Sequence, residues 1–124
     1  MRILHTESST GWGGQEIRIL TEAAGMIQRG HQIELACPSD ARIHAEATRF
    51  RVRSHPLPIG RKNPRGLLAM RSFLRTHKFD LINSHSSTDS WLAALACGAM
   101  RLRGKRPPAL VRTRHISAAV PSDR

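Results

Sequence analysis

The sequence contains no tyrosine, three phenylalanines and two tryptophans, so aromatic residues make up 4% of the chain. Proteins that hold single-stranded nucleic acid stack its bases on exposed aromatics set among basic residues. Here only Phe50 lies inside a basic cluster, and nucleic acid is not an expected partner. Cysteine is also scarce. Cys37 and Cys97 cannot build a disulfide framework, and each sits in an apolar run where cysteine acts as a small buried hydrophobe. No apolar run is long. The most apolar stretch, 91–100, contains Gly98 and is half the roughly 20 residues that span a bilayer. The opening MRILHTESS lacks the apolar core of a secretory signal, so a cytoplasmic location is the expectation. Acidic residues are the last shortage: nine stand against twenty lysines and arginines, a net charge of +11.

That excess is mostly arginine, gathered in RFRVR (49–53), RKNPR (61–65) and RLRGKR (101–106). It is either a solvated surface or a surface for polyanions. Anionic membrane lipid needs no aromatic partner and gains about 1 kcal/mol per basic residue near the surface. A membrane surface is therefore the better expectation of the two polyanions.

With 124 residues the chain is long enough for one domain with a real core. Its apolar periodicity alternates between the two periods of secondary structure. Strands are predicted at Arg2–Thr6, Gln32–Cys37, Phe50–His55, Asp80–Ser84 and Ala109–Thr113. Helices are predicted at Gln15–Arg29, with Ile17, Leu20, Ala23, Ala24 and Ile27 on its apolar face, and weakly at Ala41–Arg49. Two more follow at 64–77, opened by Asn63 and Pro64, and at Asp89–Ala99, capped by Ser87 or Thr88. Gly30 suits a left-handed helix end, and Pro38 stops the second strand. Such alternation implies an α/β fold: a Rossmann-like open parallel sheet of order 3-2-1-4-5 with helices on both faces. Ligands of such sheets bind at the carboxyl ends of the strands, where the order reverses. Three loops should meet there: Ser8–Gly14, His85–Asp89 and Arg114–Ser117.

The first loop reads ESSTGWGGQE. Gly11, Gly13 and Gly14 allow positive φ and close approach of a ligand to the backbone. The loop also opens a helix, whose free N–H groups attract anions. It is either a cradle for phosphate or sugar hydroxyls, or simply a tight strand-to-helix turn. It lacks the Gly-Lys-Ser/Thr of a Walker loop, and Glu16 stands where the dinucleotide pattern needs a small residue. Trp12 stacks on a ligand ring or covers the sheet. His85, at the end of the fourth strand, is either a hydrogen-bonding or proton-transfer group or a histidine satisfied by the next helix. Arg114 and His115 can reach the same crevice. His85, His115 and His5 are the histidines that a metal would need to bring together, but no HxxxH or CxxC spacing supports a metal, and none is expected. Ser86 and Ser87 lack a nucleophile elbow and are better placed as caps.

Together, ILHTESSTGWGGQEIRIL, RGHQIELACP, FDLINSHSSTDSWLAALA and VRTRHIS resemble the N-terminal half of family 4-like glycosyltransferases of the two-domain GT-B type. The similarity is to bacterial enzymes that build cell-surface glycans such as lipopolysaccharide. The resemblance implies a retaining hexosyl transfer without cofactor, from a nucleotide-sugar to a glycan or lipid-linked acceptor, at the inner face of the membrane. It assigns Gly11, Gly13, Gly14 and Glu16 to donor phosphates and acceptor, His85 to the transferred sugar, and Thr113 with His115 to the same crevice. It makes residues 1–124 an incomplete acceptor-side domain without its C-terminal donor-binding partner. The chain alone is then expected to be inactive, and its open sheet edge to invite self-association or a separate C-terminal domain. The alternative is a non-catalytic module that binds phosphorylated or acidic glycan.

Overall fold

The computed structural model describes residues 1–112. The elements in chain order are β1 (Arg2–Thr6), α1 (Gly14–Gln28), β2 (Gln32–Cys37), α2 (Arg42–Ala47) and a 3-10 turn (Thr48–Phe50). Then come β3 (Arg53–Pro56), α3 (Pro64–Thr76), β4 (Leu81–Ser84), α4 (Ser87–Leu102) and β5 (Ala109–Arg112). All strand pairs are parallel, in the order β3-β2-β1-β4-β5. This is the expected sheet. β1 is central, pairing Leu4 with Glu34 on one side and with Ile82 on the other.

Successive strand residues face opposite sides. Ile3 joins Ile19, Leu20 and Leu35 in the core beneath α1 and α2. Leu4 joins Met70, Ile82 and Leu92 in the core beneath α3 and α4. A side chain such as Leu4, fully enclosed, contributes about 1.5–3 kcal/mol of burial free energy. Both cysteines are buried, and burial pushes each thiol up to about 11.

Three local expectations are corrected. Ile17 is 43% exposed, and Ile19 takes its place in the core. The third strand starts at Arg53 rather than Phe50, because Thr48–Phe50 forms a 3-10 turn that ends with Arg51 at φ 59. That left-handed backbone breaks the extended run read from RFRVR. The last helix begins at Ser87, with Ser86 rather than Ser87 or Thr88 at its cap. Gly30 has the expected positive φ, at 94. Asn63 caps α3 by accepting from the Gly66 N–H at 2.8 Å, with Pro64 in the first turn.

Candidate functional site

The strand order reverses between β1 and β4, so the loops leaving those two strands separate there. The first carries Glu7–Gly13 into α1 and the second carries His85 and Ser86 into α4. Both helices start at this point, and their N-terminal N–H groups attract negative charge. The chain supplies it internally. Glu16, in the first turn of α1, accepts from the Gly13 N–H at 2.8 Å. Asp89, in the first turn of α4, accepts from the Ser86 N–H at 3.0 Å and the His85 N–H at 3.1 Å. It also takes the hydroxyls of Thr6, at 2.5 Å, and Ser8, at 3.1 Å. Burial is the largest influence on this carboxyl and pushes it up to about 6, helped by the nearby Glu7 and opposed by those hydrogen bonds.

Glu7 ties the two loops together. Its carboxylate is fully enclosed and accepts from the Ser9 N–H at 3.0 Å, from the Gln15 side-chain amide and from the Ser86 hydroxyl. The Ser86 hydroxyl proton is thus donated across to Glu7, from the cap position of α4.

His85 lies beside this cluster, 5% exposed. Its Nε2 is 2.8 Å from Nδ1 of His5, and the two rings stack with centroids 5.1 Å apart. His5 is buried too, which pulls it down to about 4 and keeps it neutral near pH 7. Its Nε2 has no hydrogen-bond partner among the described residues. A buried N–H without a partner is rarer than an unused lone pair. On that ground we assign the His5 proton to Nδ1, donating to His85 Nε2. His85 then accepts at Nε2 and holds its own proton on Nδ1.

The glycines have a different reason from the expected one. None of Gly11, Gly13 and Gly14 has positive φ. A Cβ at Gly14 would meet nothing within 4 Å, and one at Gly13 only the Glu16 carboxylate at 3.7 Å. What remains of the expectation is the open space over the backbone. Trp12 is half-buried against the α1–α2 core, with the Arg42 guanidinium 5.8 Å from its ring centre. Thr113, Arg114 and His115 lie outside the described residues. Among the described residues no three His, Cys, Asp or Glu side chains group as a metal would need, and no helix is long and apolar enough to cross a membrane.

Sequence reasoning passed over Glu7, Gln15 and Asp89. A carboxylate directly after a central strand, and Ser-x-x-Asp at a helix start, were the available signals.

The model of glycosyltransferase family 4 matches residues 12–123. No curated protein matches. Among solved structures the chain is similar to HepE of Anabaena in complex with UDP-glucose, with a TM-score of 0.64 and 23% identity over 90% of this chain and 28% of that one. It is also similar to MurG of Acinetobacter baumannii, with a TM-score of 0.68 and 14% identity over 96% of this chain and 36% of that one. The chain therefore spans about a third of the length of these proteins. Both likenesses are of fold, which is that of the N-terminal half of a GT-B glycosyltransferase.

Proposed function

We propose that this chain, which belongs to glycosyltransferase family 4, supplies the acceptor-side wall of a sugar-transfer crevice. The observation that carries this reading is the joining of the glycine loop and the His85 loop, through Glu7, at the switch point of the sheet. HepE has been solved with UDP-glucose and with UDP and glucose, and this supports a nucleotide-sugar as donor here. We place that donor on a second domain outside residues 1–124, and transfer proceeds with retention to a glycan or lipid-linked acceptor. The chain alone turns over no nucleotide-sugar. The +11 charge supports docking on anionic lipid at the cytoplasmic face of the membrane.

The chemistry of the wall favours sugar hydroxyls over phosphate. Glu7, Glu16 and Asp89 already place carboxylates against both helix starts, so an added phosphate meets like charge there. Hydroxyls instead find the open space over the backbone at Gly14.

Amide-resolved NMR of the chain with neutral hexoses tests this. Shifts are expected at 8–14 and 85–86. Gly14→Ala should fold as well as the parent, since its Cβ has room. It should lose about 1 kcal/mol or more of sugar binding, because the methyl blocks approach to the backbone. Shifts confined to other loops, or unchanged affinity in Gly14→Ala, would overturn the assignment.

A further inference from the structure

A second concavity opens on the same edge of the sheet, beyond β1. It is a cleft of about 690 Å³ between the loops that follow β1, β2 and β3. The β1 loop contributes Ser8, Ser9 and Thr10, and the β2 loop Ser39 and Asp40. The β3 loop and the start of α3 contribute Arg61 and Arg65. The size is that of a site for one small ligand.

The charge in this cleft is uncommitted. The ion pairs among the described residues gather on Glu34 and Glu46, and none includes Arg61 or Arg65. Asp40 lines the same cleft and pairs with neither arginine.

The backbone that carries the arginines is also held in place. Gly66 is buried in the first turn of α3, and a Cβ there would lie 2.7 Å from the Pro58 carbonyl and 3.3 Å from that of Arg61. The loop before α3 is thus pressed onto the helix start. Ile59 is fully enclosed in the core, and the Leu57 N–H is bonded to the Cys37 carbonyl at 2.8 Å. This segment hangs from β2 and the core and presents its guanidinium groups from a fixed backbone.

We propose that this cleft binds a phosphate-bearing saccharide, with Arg61 and Arg65 on the phosphate and Asp40 with the Ser39 and Thr10 hydroxyls on the sugar. Arginine is the side chain suited to phosphate, which it grips through paired N–H donors. A carboxylate and hydroxyls on the opposite loops suit the ring hydroxyls. The division of labour follows the charge: anion at the β3 loop, neutral hydroxyls at the carboxylate-backed switch point. The proposal rests on the acceptor-side reading for the role of this ligand, which is then the acceptor or a part of it.

The test is titration of the chain, followed by NMR, with glucose, mannose and galactose, with their 1-phosphates, and with inorganic phosphate. A sugar 1-phosphate is expected to bind at least about tenfold more tightly than its free sugar and than inorganic phosphate. It should shift residues 61–65. The pair Arg61→Ala, Arg65→Ala should abolish the difference and leave neutral sugar binding unchanged. Arg101→Ala with Arg103→Ala removes the same charge at the other end of the molecule and should leave the preference intact. Equal binding of free and phosphorylated sugars, or equal loss in both double variants, overturns the cleft and indicates the overall positive field. Loss of neutral sugar shifts at 8–14, with the phosphate preference kept, would instead strike the switch-point reading. A phosphate preference without shifts at 61–65 also overturns the cleft.

Discussion

His5 and Asp89 are both buried, and burial moves them in opposite senses on the pH scale. An unfolded histidine takes a proton below about 6.5, whereas His5 in the fold takes one only near 4. Between those values the unfolded chain holds the extra proton, and stability falls as pH falls. An unfolded aspartate takes its proton near 3.8, whereas Asp89 takes one near 6. In that window the fold holds the extra proton, and stability rises as pH falls. Each slope is about 1.4 kcal/mol per pH unit, so the two nearly cancel between about pH 6 and 4. Asp89→Asn removes one side of this balance. Chemical denaturation at a series of pH values should show the variant losing about 3 kcal/mol more than the parent between neutrality and pH 4. The readout is the difference in slope, which is separate from any hydrogen bond lost at all pH values. Parallel pH profiles for parent and variant would mean that the fold does not raise the Asp89 carboxyl. The lowered carboxyl of Glu34, paired with His55 and Arg2, gives up its contribution only as pH falls below the ordinary carboxylate range, in parent and variant alike.

At the scale of elements, the β3–α3 junction depends on a missing side chain. Gly66→Ala would place a methyl against two carbonyls that belong to backbone and cannot rotate away. Overpacking of this kind costs about 1–3 kcal/mol. The expected outcome is that loss in stability, with amide exchange quickening at 58–66 before it does in β1. A stable Gly66→Ala with unchanged exchange would mean that the junction yields freely and that Arg61 is not fixed. The junction also shows which parts of the fold were legible. Asn63-Pro64, Gly30 and Pro38 punctuate the chain by local chemistry, and the elements they bound came out in the expected order and sheet. Arg51 was not legible, because nothing marks an arginine for positive φ. Ile17 and Ile19 are two residues apart on one helix, and only the packing of α1 on the sheet decides between them. The site divides in the same way. His85 and the glycine loop could be read from their places at strand ends. Glu7 and Asp89 could be read only as a strand-end carboxylate and a capping pattern, since their burial arises only when two helices that are distant in sequence start side by side.

At the scale of the molecule, the charge and the sheet edge oppose one another. β5 pairs with β4 on one side, and among the described residues no strand pairs with its outer edge. Leu110 and Val111 on that strand are exposed, as are Trp91, Leu95 and Leu102 on α4. Unpaired backbone with apolar neighbours is a template for another strand. The other edge strand, β3, ends at Pro56 and is the poorer template. Yet Arg101, Arg103, Lys105 and Arg106 precede β5 and Arg112 ends it, so two copies meeting edge to edge bring like charges together. Salt decides which effect wins. The screening length is about 10 Å at 0.1 M and about 3 Å at 1 M, so repulsion across the contact fades while backbone pairing does not. Sedimentation velocity should therefore find a monomer at low salt and heavier species as salt rises toward about 1 M. Val111→Lys places a charge on the edge itself and should hold the chain monomeric at salt that associates the parent. A parent that stays monomeric at high salt would mean that the edge is not adhesive. Association in Val111→Lys equal to that of the parent would move the contact to the outer face of α4.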